Sequence, residues 1–358
     1  MSVLGSSAFI LHKAKMQFGP ADMRLSIFSR LKKACILNQH NTELKNPHTF
    51  GNVFERQFLI GESENVMTIC ERLKYENFIE NEVLMCTLLS YSGRDRAMQP
   101  GSYTLKNGLS MLEIAQRIGN PNYRDIPLRV YAGWRLEEIA MAIDMLPFRF
   151  SGQDFLNFVK NTPEDFKNVY DFLPETGLEG LILPGLYYFK PESDINDVIE
   201  VMLDIFNKQV TQTNLKNQIE ETGLTLLQGL TLASIIQRET LADDEMPMMA
   251  SVFFNRLKLG MKLETDVTVQ YALGWNETEN TWWKTTLTWD DFATDSVYNT
   301  YRVYGLPPGP IGSAGLSAIQ AVANPAKSNY LFFRASCDGS GTHQFATTYE
   351  EHLNNDCD

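Results

Sequence analysis

The chain has 358 residues, 44% of them hydrophobic, with a formal net charge of −13 and a pI near 4.9. It is long enough for a sizeable core and for two domains of about 100 to 200 residues each. The acidic balance argues against a nucleic-acid partner, because phosphate binding needs a basic face, and an uncharged or mixed-charge partner fits better.

The charge is unevenly placed. Residues 1–50 carry seven Lys or Arg against Asp22 and Glu43, a local balance of +5 that leaves −18 for the remainder, so this stretch reads as a separate basic segment. Its most apolar piece, SVLGSSAFIL, is shorter than the ~20 residues of a membrane span, and the charges after it lie on the wrong side for a signal peptide. As written, neither a membrane anchor nor an export signal is expected. The five cysteines (Cys35, Cys70, Cys86, Cys337, Cys357) are odd in number with no CxxC, so isolated thiols are expected rather than a disulfide framework or zinc site. The five histidines are scattered without HExxH, and no metal site is expected.

Between residues 58 and 145 two segments look alike, YTLKNGLSMLEIAQRI (103–118) and LRVYAGWRLEEIAMAI (128–143), spaced by 25 residues. Each runs from a β-prone stretch through Gly108 or Gly133 into an amphipathic helix, and FLIGESENVMTICERL (58–73) is a looser version. Such strand–helix units cannot bury a face alone and should pack into one α+β module. After Phe148 the pattern turns helical (DFLNFVKN, INDVIEVMLDIFNKQV), interrupted by the proline-containing FLPETGLEGLILPGLYYFKPESD, which reads as an ordered loop with a short extended piece. Two helices are predicted at about 230–242 and 247–259. Loop-rich sequence follows, then a strand-like YLFFRA, and long loops interleaved with Tyr, Leu and Ile read as ordered site loops.

On the first of those helices Leu232, Ile235, Ile236 and Glu239 fall at i, i+3, i+4 and i+7, so a carboxylate shares a face with three aliphatic side chains. Burial disfavours the charged form and raises a carboxyl pKa, the condition for a proton donor working near neutral pH. The alternative is a structural glutamate that curls to the surface or is satisfied by Arg238 or Thr240.

The stretch 231–271, TLASIIQRETLADDEMPMMASVFFNRLKLGMKLETDVTVQY, resembles the signature of the YceG-like family, the endolytic murein transglycosylases, roughly LASIvekET followed by vAsVFxNRLxxgMxLqtDpTvxY. YNTY (298–301), GLPPGPI (305–311), AVANPAKSNYLFF, GTHQFATTYEEH and the upstream LEGLILPGLYYF (178–189) are similar to the family in the same order. The resemblance covers about residues 58–352. It implies an α+β fold: an unplaced basic segment at 1–50, a LysM-like module of small strand–helix repeats at 51–147, and a mixed α+β catalytic domain at 148–358.

The resemblance also implies lyase-type cleavage of the β-1,4 bond between N-acetylmuramic acid and N-acetylglucosamine, with Glu239 as catalytic acid and base and with neither metal nor cofactor. An intramolecular nucleophile, the muramic acid C6 hydroxyl, would remove the need for the second carboxylate of an ordinary hydrolase. Substrate-binding roles carry over to Glu179, Glu245, Asn255, Thr265, Asp266, Asn299 and Tyr301. The implied partners are peptidoglycan glycan strands and cell-wall synthesis proteins, at the outer face of the cytoplasmic membrane. Three departures stand out: Met246 follows Glu245 where the family has Arg, Val267 replaces Pro, and Gly185-Leu186 replaces Asp-Thr. The competing expectation is a peptidoglycan-binding protein without activity. A pyridoxal-phosphate lyase would need a Schiff-base lysine beside a phosphate-binding glycine turn, a setting that Lys258 and Lys262 lack.

Overall fold

The computed structural model describes residues 3–47, 54–240 and 242–357, and the chain divides into two units, Met1–Pro127 with Tyr188–Glu192, and Leu128–Tyr187 with Ser193–Asp358.

The first unit opens with three helices, α1 (Val3–Phe18), α2 (Ile27–Gln39) and α3 (Asn41–Lys45), followed by β1 (Glu55–Ile60), α4 (Val66–Tyr75), α5 (Glu82–Ser92), β2 (Gly101–Lys106) and α6 (Met111–Ile118). β1 and β2 pair antiparallel from Glu55 opposite Lys106 to Ile60 opposite Gly101. The pairing places Phe58 against Tyr103, both fully buried. α6 follows the Gly108 turn as expected: Ser110 caps it, and Glu113 reaches back to the Ser110 N–H at 2.8 Å.

The basic N-terminal segment is not separate from this unit. Ala14, Phe18, Ala34, Leu37 and Leu44 lie in one core with Phe58, Leu73, Leu88 and Tyr103. Net charge marks only the solvent face of these helices, and the buried face is what joins them to the unit. A second correction concerns the cysteines. Cys70 on α4 is bonded to Cys86 on α5, and Cys337 to Cys357, leaving Cys35 as the free thiol. The partners are 16 and 20 residues apart, and it is helix packing and a chain reversal that bring them together, which linear spacing does not reveal.

β3 (Ile126–Val130) and β4 (Gly185–Phe189) form a two-stranded sheet. The second unit continues through α7 (Leu136–Asp144), α8 (Gly152–Lys160) and α9 (Glu164–Val169), then beyond β4 through α10 (Ile195–Phe206) and α11 (Leu215–Glu221). Next come α12 (Leu226–Glu239), α13 (Met246–Lys258), α14 (Asp266–Leu273), α15 (Trp289–Phe292) and α16 (Leu316–Ala323). The hairpin β5 (Phe332–Ala335) and β6 (His343–Ala346) and the last helix, α17 (Tyr349–Asn354), complete it. The copy of the strand–helix repeat at 128–143 therefore belongs by packing to this unit.

α12 is its central helix, packed against α11, α13, α14 and α16. Leu230, Leu232, Ala233, Ile235 and Ile236 are all buried, the leucines and isoleucines each contributing roughly 1.5–3 kcal/mol. Gly229 permits the close approach of α11, since a Cβ there would lie 2.4 Å from Ile219. Among the described residues no helix is long and apolar enough to cross a membrane.

Candidate active site

α12 ends on Glu239. Thr225 caps its first turn, accepting from the Gln228 N–H at 3.2 Å, and Gln228 returns the bond at 2.9 Å. Leu232, Ile235 and Ile236 are fully buried, and Glu239 continues their face. Thr240 leaves the helix in extended backbone (φ −139°, ψ 148°), so the half-buried carboxyl sits at the negative end of the helix dipole. Burial is the main cause that pushes Glu239 up to about 8; the Asp266 charge acts in the same direction, and Arg238 opposes both. The acid is therefore protonated at neutral pH. Among the described residues neither Arg238 nor Thr240, the partners expected of a structural glutamate, is placed in a hydrogen bond or ion pair with it. Arg238 lies over the Trp283 ring, 3.8 Å from its centroid, and the Thr240 hydroxyl accepts from the Ala242 N–H at 3.0 Å.

Glu239 opens into a cleft of about 410 Å³. Its walls are the Leu263–Asp266 loop, Tyr301, β5 residues Phe332, Phe333 and Arg334, and Tyr349 and His352 of α17, with Arg256 behind them. Tyr301 donates its phenol hydrogen to Asp266 at 2.6 Å, fixing the carboxylate at the start of α14. Thr265 is buried, its N–H bound to the Thr300 hydroxyl at 3.0 Å. The Thr265 hydroxyl has no partner among the described residues. Glu264 adopts the left-handed region (φ 50°), a strained conformation for a non-glycine residue of the kind that clusters at functional sites.

Of the sequence-predicted residues, the fold brings Glu239, Thr265, Asp266 and Tyr301 together in the cleft. Four others lie outside its lining. Asn255 donates to the Ser328 and Tyr330 carbonyls at 3.0 and 2.9 Å. Asn299, fully buried, donates to the Phe292 and Thr294 carbonyls and accepts from the Tyr301 N–H at 3.1 Å, shaping the loop that presents Tyr301. Glu245 accepts from the His343 N–H at 2.8 Å and meets its Nδ1 at 2.9 Å, tying the start of α13 to β6. These contacts form with Met246 at the next position. Glu179 lies under α7, accepting long bonds from the Leu136 N–H and the Tyr271 hydroxyl, both 3.4 Å. Burial, with the Glu137 charge next and Arg135 opposing, pushes it up to about 8 as well.

Two departures prove local. Val267 is buried in the first turn of α14, which forms without proline. Gly185 and Leu186 lie on β4 and do not line the cleft. The sequence reading missed Arg256, the β5 aromatics and His352. Arg256 stood in the quoted NRL and His352 in EEH, but their roles depend on the packing of α13 and α17 against β5. The reading also treated Glu239 as a lone carboxylate, whereas Glu264 and Asp266 share its cleft.

The site thus defines a class: an α+β protein that presents one protonated carboxyl, flanked by anionic and hydroxyl groups, in an open cleft with aromatic walls. The YceG-like family model matches residues 58–357, and the chain belongs to that family. It is 31% identical over 306 residues to a Bacillus subtilis protein named endolytic murein transglycosylase, covering 82% of this chain and 81% of that one. A Streptococcus pneumoniae protein of the same name is 27% identical over 324 residues, covering 83% of this chain and 57% of its own length. The structure is similar to a crystal structure of a YceG-like protein from Listeria monocytogenes, with a TM-score of 0.56 and 26% identity, covering 85% of this chain and 99% of that one.

Proposed function

We propose that the protein is an endolytic lytic transglycosylase acting on peptidoglycan glycan strands, with Glu239 as its single acid/base. The observation that carries this is the position of the Glu239 carboxyl, which ends the buried face of α12 and lines the cleft, with burial raising its pKa; the likeness to the named relatives supplies the substrate class. Protonated Glu239 gives its hydrogen to the departing O4 of N-acetylglucosamine as the C1–O4 bond of N-acetylmuramic acid breaks. The resulting carboxylate takes the proton of the C6 hydroxyl while that oxygen closes on C1, which leaves a 1,6-anhydro end and restores the acid. The nucleophile is part of the reacting ring, so no second molecule has to be ordered. Tyr301 and Asp266 offer hydrogen bonds to sugar hydroxyl and N-acetyl groups, with Thr265 in the wall beside them.

Asp266 supports a second reading, a hydrolase in which it activates water. Its carboxylate is already held by Tyr301, which favours the first. Asp266→Asn should then leave cleavage in place but move the alkaline limb of the pH–rate profile to lower pH, because it removes a charge that raises the Glu239 pKa. An unshifted limb would mean that Asp266 does not tune the acid.

The strand–helix units β1–α4 and β2–α6 correspond on this reading to the LysM-like module. The Cys70–Cys86 and Cys337–Cys357 disulfides fit an oxidising, extracytoplasmic setting, at the envelope where cell-wall synthesis proteins work. The endolytic character is tested by chromatographing the products of long uncrosslinked glycan strands over time. Early collapse of strand length supports internal cutting, and steady release of disaccharide from otherwise long strands contradicts it.

A further inference from the structure

All five tryptophans of the chain fall at 134, 275, 282, 283 and 289, and three of them, Trp134, Trp275 and Trp282, line one open pocket of about 290 Å³ that shares no lining residue with the Glu239 cleft. We propose that this pocket is a glycan-binding subsite that stacks one N-acetylhexosamine ring of the strand at a distance from the scissile bond; the proposal rests on peptidoglycan being the substrate.

The pocket is built rather than incidental. Trp275 follows the end of α14, and Asn276 and Thr281 exchange two backbone hydrogen bonds, 2.7 and 3.3 Å, that close a hairpin bringing Trp282 back beside Trp275. The Asn276 side chain accepts from the Thr278 and Glu279 N–H groups at 2.9 and 3.1 Å, locking the turn. The two indoles meet edge to face, with centroids 5.3 Å apart. Opposite them, α7 supplies Met141, 45% exposed, and Met145, 85% exposed, which suit an acetyl methyl group. Asn280, Thr281 and Glu138 add polar groups to the lining. An apolar floor with a few polar groups at its rim is the usual make-up of a small-ligand site.

Charge selects the ligand class. The Arg135 guanidinium already lies over Trp282 at 4.6 Å and over Tyr271 at 4.2 Å. That guanidinium, paired with Glu137 at 2.8 Å, already occupies the cation position on the Trp282 ring, while the pocket itself is lined by the Glu138 carboxylate, which repels an anion. Anionic polymers are repelled by a chain of net charge −13. A neutral ring with one apolar face is what remains. The two sites are also linked: Asp266 at the first turn of α14 lines the Glu239 cleft and Trp275 follows its last turn, about 12 Å along the helix axis at 1.5 Å per residue. Trp283 of the same hairpin stacks on Arg238, the neighbour of Glu239.

The test titrates chitotetraose into the Glu239→Gln protein and follows tryptophan fluorescence. Trp275→Ala with Trp282→Ala should weaken binding about ten-fold, the loss of two aromatic contacts. Trp289→Ala, at a site 89% exposed and outside the pocket, should leave it unchanged and controls for folding. In the Glu239 background the double variant should raise KM on glycan strands with kcat retained. Unaltered affinity and KM in the double variant would overturn the subsite, as would saturable binding of tetramethylammonium at the pocket in place of chitotetraose. Tryptophan-dependent binding in a protein whose wild type leaves strands uncut would uphold the subsite while removing the transglycosylase reading.

Discussion

Glu239→Gln should abolish glycan cleavage, by at least ~10³-fold, because one side chain serves as acid in the first half of the reaction and base in the second. The same change should stabilise the protein. The folded-state pKa of Glu239 is about 8, against about 4.3 for an unfolded glutamate. Between those values the folded state holds a proton that the unfolded state has lost, so stability falls as pH rises through that window and levels off above it. Glutamine removes this penalty. The variant's advantage in thermal denaturation should therefore be small near pH 4 and grow to on the order of 2–4 kcal/mol by pH 8. Glu179, also pushed up to about 8, keeps its own dependence of the same sign in both proteins. A Gln variant that is inactive and less stable than wild type at pH 8 would indicate lost structure rather than lost acid.

Arg256→Ala should be the most destabilising single substitution near the site, costing about 3–5 kcal/mol. The guanidinium is buried and donates through Nε to the Leu331 carbonyl at 2.6 Å, and through Nη1 to the Lys262 and Leu263 carbonyls at 3.3 and 2.8 Å. Glu264 lies 3.6 Å from it, and Phe332 packs beneath it at 5.1 Å. One side chain on α13 thus holds both the loop carrying Thr265 and Asp266 and the strand that forms the opposite wall. Removing it strands those carbonyls and frees both walls. Arg256→Lys should recover only part of the loss, because an ammonium group cannot reproduce the planar fork. Thermal denaturation of the three proteins checks the order; an alanine variant within about 1 kcal/mol of wild type would contradict the assigned role.

Much of the core of the site is legible in the sequence. The 3.6-residue spacing of Leu232, Ile235 and Ile236 places Glu239 on an apolar face, and the resemblance over 231–311 isolates Thr265, Asp266 and Tyr301, which the fold gathers in one cleft. The helices and strands of the repeats form where the β-prone stretches, the turns at Gly108 and Gly133 and the apolar periodicity predict them. What could not be read were consequences of contact between distant segments. Disulfide pairing, the β5 and α17 wall, and the burial of α1 and α2 in the first unit depend on which faces meet. Glu245, Asn255 and Asn299 look from their type like sugar ligands, yet each is engaged with the protein's own backbone, because polar groups inside loops must first satisfy one another.

The most direct test of the central claim is mass spectrometry of the ends generated when purified glycan strands are treated with wild-type protein and with Glu239→Gln. Internal cuts bearing 1,6-anhydro-muramic ends, lighter by one water than hydrolytic ends and absent with the Gln variant, are the predicted result. Reducing ends would contradict it and assign Asp266 the activation of water.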